Sequence, residues 1–217
     1  MMELLIGIIG GLVTFVILAS IKKILRKIEI GAIGKILPLQ ENIATIILAG
    51  YHFNPNDFSN DLFIHTEAIQ AVSKLTSLFN NYKIKSKFVV DKVYRRDDSV
   101  PIEICIGGEA TSTNSKFYLD NYCDKQYYGS IHKGEGLIIK LKIPIRLPKE
   151  YKIVILLYGY DSDDTEASIA YFSKHFIDLV KNEFKNDNIA IQLKTINVQE
   201  AEYIRCNSID KKFLKTA

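Results

Sequence analysis

Two polar loops carry the side chains from which chemistry could be built. The first, IGGEATSTN at 106–114, sets Gly107 and Gly108 behind an apolar run and ends on Ser112, Thr113 and Asn114. Glycines without a Cβ let a ligand lie against the backbone, and a helix opening just beyond would turn unpaired N–H groups toward an anion. The three polar residues add hydroxyl and amide contacts, and they are also N-cap candidates for a short helix over 115–122. The pattern is neither a full G-x-G-x-x-G nor a Walker loop. It fits a nucleotide-holding loop or a tight turn with a cap.

The second loop, YGYDSDDTEAS at 158–168, gathers Asp161, Asp163 and Asp164 at a helix start, with Thr165 and Ser168 at the helix mouth. Carboxylates cap a helix well, and Asp163 with Glu166 fits a capping box. They repel bare phosphate but suit ribose hydroxyls, a base edge, or a magnesium ion bridging to phosphate. A solvated acidic capping run is the alternative. A third loop, Gly50 to Ser59, brings Gly50 and His52, whose ring could stack on a base. Glu109, just past the glycine pair, is the one candidate for catalysis. A carboxylate there could stabilise an oxocarbenium-like state in N-glycosidic cleavage, or it is a surface glutamate with no second catalytic partner. His52, His65, His132 and His175 have no metal-ligand spacing, so neither metal nor cofactor is expected.

The elements that position these loops alternate between strand and helix. Short apolar runs at 43–50, 100–108 and 152–160, each ending in glycine or a turn, suit strands buried on both faces. KSKFVVDKVY (85–94) and NIAIQLKTI (188–196) are two further strands. Helices are predicted over about 64–80, with Ala68, Val72, Leu75 and Phe79 on one stripe, and over about 164–185. The stretch 128–145 reads as a β-hairpin around Gly134 and Gly136. The order predicts a Rossmann-like α/β domain over 42–205, with a mostly parallel sheet and a β-hairpin insertion. Loops following parallel strands gather at one sheet edge, so all three candidate loops are expected on one rim.

Ahead of this domain, Leu4 to Ile21 is uncharged and mostly apolar; its 18 residues make roughly 27 Å of helix at about 1.5 Å each, close to a bilayer's hydrocarbon thickness. Only Met1, Met2 and Glu3 precede the run, which argues against a cleavable signal, and Lys22, Lys23, Arg26 and Lys27 follow it. A single-pass inner-membrane helix over 1–27 is therefore expected, with the N-terminus outside and the domain in the cytoplasm. Residues 28–41, holding Gly31, Gly34 and Pro38, read as a linker, and 206–217 as a solvated tail. Gly7 and Gly11 form a small-x-x-x-small pair that would let helices of a homo-oligomer approach closely. The net charge of +3 over 217 residues excludes a strongly basic nucleic-acid binder, so DNA is not an expected partner. Cys105, Cys123 and Cys206 are scattered and odd in number, as reduced thiols would be.

With IGGEATSTN after one strand and YGYDSDDTEASIAYF after a later one, the chain resembles prokaryotic Rossmann-like domains. Their pattern is Gly-Gly with a small polar loop ending in Asn, then a Gly-rich loop ending in Thr-x-Ala. It departs from them at Glu109 and Asp164. One membrane helix followed by such a domain also resembles membrane-tethered effectors of antiviral defence, the CRISPR-associated Rossmann-fold (CARF) sensors being the nearest named case. That resemblance implies a homodimer binding a cyclic oligoadenylate as nucleotide second messenger. It implies a pocket at Gly107, Gly108, Ser112, Thr113, Asn114, Thr165 and Ser168, and leaves open whether the chain is an enzyme. A nucleotide- or NAD-cleaving enzyme and a non-catalytic membrane-tethered scaffold are the alternatives.

Overall fold

The structure, a computed structural model, describes residues 2–37, 43–51, 63–64, 66–91, 94, 96, 100–123, 131–145 and 151–209. Of these, 2–12, 36, 50–51, 63–64 and 66–68 are described by backbone course alone. The chain order is α1 (Met2–Ile36), β1 (Ile43–Leu48), β2 (Gly50–Tyr51), β3 (Phe63–Ile64), α2 (Thr66–Asn81), β4 (Lys85–Val90), β5 (Ile102–Ile106) and α3 (Thr113–Tyr122). It continues with β6 (Glu135–Pro144), β7 (Tyr151–Gly159), α4 (Ser162–Asp178), a π-helical segment (Leu179–Glu183), β8 (Ile189–Asn197) and β9 (Glu200–Ser208).

The main sheet has seven strands in the order β4-β1-β5-β7-β6-β8-β9, and β2 pairs with β3 in a separate ribbon. β4, β1, β5 and β7 are parallel neighbours, while β6, β8 and β9 extend the sheet antiparallel. Five of the seven strands therefore run in one direction, and the α/β reading holds. Strand residues alternate between two cores. Ile46, Ile104, Ile106, Ile155 and Leu157 face α2, α4 and the end of α1, whereas Ile47, Cys105, Val154 and Leu156 face α3. β1 leads into α2 on one face and β5 into α3 on the other, so the winding reverses between the two strands. That switch, at the strands' carboxyl ends, is where open α/β sheets leave a crevice.

Three expectations need correcting. The predicted linker begins as helix: α1 runs unbroken through Gly31 and Gly34 to Ile36, and Ile33 and Leu37 are buried in the main core. Burial of those two side chains offsets the helix cost of two glycines, about 1 kcal/mol each. The hairpin is not centred on Gly134 and Gly136. Instead, a turn closed by the Glu135 N–H donating to the His132 carbonyl (3.0 Å) leads into β6, which passes straight through Gly136 and pairs with β7 over its full length. LIIKLKIP is long and apolar enough to be buried on both faces, so no turn interrupts it. The sheet also runs past 205, because β9 continues to Ser208 and Ile209 is buried; residues 210–217 lie outside the described ones.

α1 projects from this body. Phe15, Val16, Ile17 and Leu18 are successive residues at about 100° steps, hence aimed in four directions, and each is more than half exposed. A helix apolar on all sides is suited to a core or a bilayer. Among the residues with described side chains, which begin at Val13, no helix is long and apolar enough to cross a membrane. The first half of the Leu4–Ile21 run lies ahead of them. The base of α1 is bolted down: Arg26 Nε donates to the Asn81 carbonyl at the end of α2 (2.9 Å), and Glu29 lies 3.9 Å from Lys181 in the π segment.

Candidate functional site

A cavity of about 490 Å³ opens at the carboxyl edge of the sheet, over β5 and β7 and beside Ala49 at the end of β1. Its walls are the 106–111 loop, Ile131, Tyr158 to Ser162, and the first turns of α4 through Thr165, Glu166 and Ile169. Loops separated by fifty residues thus meet on one rim, as the parallel strand order requires. Gly107, Gly108, Asp161 and Thr165 all line the cavity, and so does Glu109.

The other expected residues go elsewhere, and Asp91 is the reason for most of them. It follows β4 and is buried, its N–H bonded to the Leu48 carbonyl (2.9 Å). Its Oδ2 accepts from the Thr113 N–H (2.7 Å) and the Thr113 hydroxyl. Its Oδ1 accepts from the Asn114 N–H (3.0 Å), Asn114 Nδ2 (2.7 Å) and the Ser112 hydroxyl (3.0 Å). Ser112 Oγ in turn accepts from the Ser115 N–H, capping α3. Burial alone would raise the Asp91 pKa, but the hydrogen bonds from Thr113 and Asn114 outweigh it and hold the carboxyl below its ordinary value. The anion seat at the start of α3 is therefore filled by the protein's own carboxylate. Ser112, Thr113 and Asn114 are not cavity residues.

Ser168 is fully buried behind the wall, its hydroxyl donating to the carbonyls of Asp164 (3.0 Å) and Tyr158 (3.2 Å). Gly50 belongs to the β2–β3 ribbon and is not a lining residue, and His52 lies outside the described residues. The glycines answer to packing more than to ligand approach. At Gly107, where φ is +99°, a Cβ would stand 2.7 Å from Thr111 Oγ1 and 3.0 Å from the Ala49 Cβ; at Gly108 it would stand 3.2 Å from the Tyr158 ring.

The α4 rim is acidic and self-bonded. Asp161 Oδ1 accepts from the Asp164 N–H (3.0 Å) as N-cap, and Asp164 Oδ2 accepts from the Gly134 N–H (3.0 Å). The capping box expected between Asp163 and Glu166 does not form. Glu166 instead accepts from Lys74 of α2 (3.1 Å) and from Gln199 in the β8–β9 turn (2.7 Å). Thr165 Oγ1 accepts from the Gly159 N–H (3.0 Å) and donates to the Asp161 carbonyl (2.8 Å).

A second polar cluster lies in the α3-side core. Glu103 and Lys152 are both buried and 2.6 Å apart, and the hydroxyls of Tyr94 and Tyr118 donate to the same carboxylate. Burial and the adjacent Glu103 charge raise the Tyr118 pKa far above the usual tyrosine value. Burial likewise raises the Cys105 thiol. These side chains are held as donors and as packing, away from any reactive state. Among the described residues no His, Cys, Asp and Glu cluster could hold a metal ion.

The aromatic and apolar walls, Tyr158, Tyr160, Ile131 and Ile169, escaped sequence reasoning. Tyr158, Tyr160 and Ile169 were signalled only by position in or beside the second loop, and Ile131 by nothing local. Comparison of the chain with known protein families, curated proteins and solved structures finds no match.

Proposed function

We propose that this chain is a membrane-anchored sensor: α1 enters the inner membrane, the domain lies in the cytoplasm, and the rim cavity takes a nucleotide second messenger of the cyclic-oligonucleotide type. The observation that carries the reading is the course of α4. Its first turns line the cavity, and the π segment that continues it, through Leu179 and Val180, shares a core with Ile33 and Leu37 at the base of α1. One continuous helical stretch, α4 and the π segment, thus runs from the binding space to the shaft. The π segment at the contact is a geometry that often marks functional positions in helices. A ligand that binds one arrangement of α4 more tightly shifts the tilt of α1, and in a homo-oligomer the grouped helices disturb the bilayer together.

The test is membrane potential in vesicles carrying the full-length protein. Adding a panel of cyclic oligonucleotides should depolarise the vesicles with at least one member and leave them polarised with the rest. Equal depolarisation with and without every member refutes the sensor. Glu109 lining the cavity favours a second reading, cleavage of a nucleotide or NAD glycosidic bond. Release of free base that disappears in Glu109→Gln supports that enzyme. If neither occurs and no nucleotide raises the melting temperature, the membrane-tethered scaffold stands.

A further inference from the structure

Taking the cavity as a nucleotide site, the reading on which this step rests, we infer that it recognises the nucleoside head and leaves the phosphates outside. Two helix starts border the loops around the cavity, and each already has its negative partner. The Thr113 and Asn114 N–H groups of α3 are bonded to Asp91, and α4 is capped by Asp161 with Asp163 and Asp164 in its first turn. Neither dipole is open to a phosphate. The charged groups lining the space are Glu109, Asp161 and Glu166, the last already paired with Lys74 of α2; no lysine, arginine or histidine lines it among the described residues. A phosphate inside would meet like charge from Glu109 and Asp161, both solvent-exposed, with no basic side chain on the lining to offset it.

The same walls suit the other half of a nucleotide. Tyr158, Tyr160 and Ile169 offer apolar and aromatic surface to a planar base. Carboxylates accept hydrogen bonds from ribose hydroxyls and exocyclic amino groups, which an anion cannot give. The volume falls within the range of small-molecule sites, about 300–1,000 Å³.

Isothermal titration of the full-length protein in nanodiscs tests this with adenosine, AMP and ATP, and with guanosine, GMP and GTP. EDTA is included, because magnesium between carboxylate and phosphate would mask the repulsion. One nucleoside should bind at least as tightly as its monophosphate and about tenfold more tightly than its triphosphate. Glu109→Gln combined with Asp161→Asn, which keeps a capping side chain, should narrow that gap several-fold. Tighter binding of the triphosphate, weakening as salt rises, overturns the inference and leaves the nucleotide site standing. Silence from both series refutes the inference, while the nucleotide site itself stands or falls with the cyclic-oligonucleotide panel.

Discussion

Asp91 does more for this rim than any residue that lines it. Its two oxygens take five hydrogen bonds from three consecutive residues of the α3 start, and the three from Ser112 and Asn114 come from donors that would otherwise be buried without a partner. Asp91→Ala should therefore cost about 3 kcal/mol, lowering the melting temperature by about 6–12 °C in a domain of this size. Asp91→Asn should recover only part of that, since an amide accepts at one atom where the carboxylate accepts at two. The pH dependence has a definite sign. Because the folded pKa is depressed, the stabilisation is complete above the unfolded aspartate value near 3.9 and fades as pH falls below it. Melting curves from pH 7 to pH 3 should show the gap between wild type and Asp91→Ala begin to narrow below about pH 3.9; a constant gap refutes this role. The S-T-N triplet was legible as a cap and as a ligand loop, and only a long-range partner could decide between them. Nothing local in VVDKVY marks Asp91 as that partner, since a strand-end aspartate is ordinary.

At the scale of elements, close packing of the rim falls on the short turn between β7 and α4. A Cβ on Gly159 would lie 2.3 Å from the Asp164 Cβ, 2.4 Å from its backbone carbon and 2.6 Å from the Thr165 nitrogen. Backbone cannot rotate away as a side chain can, so Gly159→Ala should cost at least about 2 kcal/mol and displace the start of α4. Gly134 makes the contrast: φ is +85°, yet a Cβ there meets nothing within 4 Å, so Gly134→Ala bears only the dihedral penalty, about 1 kcal/mol. Thermal melts of the two variants should rank in that order, and the reverse order refutes the packing account. Glycine at the end of an apolar run correctly signalled both strand-to-loop turns. It misled at Gly136, which faces the Ser168 hydroxyl inside β6. Small size for close helix–sheet approach and freedom to turn write the same letter in a sequence. At α1, Gly31 and Gly34 read as a linker for a similar reason: the long-range burial of Ile33 and Leu37 is invisible in local composition.

For the whole molecule, the question is how a long apolar rod and a folded body share one chain. α1 is roughly 52 Å long at about 1.5 Å per residue, and it has two environments along that length. Ile33 is about 1% exposed and belongs to the core that α2, α4 and the π segment complete, whereas Ile17 is 53% exposed and outside it. The same substitution should thus act on different properties at the two positions. Ile33→Asp buries an unpaired carboxylate and should cost about 4 kcal/mol or unfold the domain; Ile33→Val, losing one methylene, should cost about 1 kcal/mol and keep the test readable if the first variant does not fold. Ile17→Asp should leave the detergent melting temperature within about 1 °C, because surface changes away from packed groups act weakly. It should instead reduce co-flotation with lipid vesicles, since a carboxylate costs about 3 kcal/mol on insertion at the centre of a span and less toward the end, where Ile17 lies. If Ile17→Asp floats with vesicles as wild type does, the exposed apolar surface of α1 faces something other than lipid. If Ile33→Val and Ile33→Asp both leave the melt unchanged, α1 is not anchored in the core, and α4 has no shaft to move.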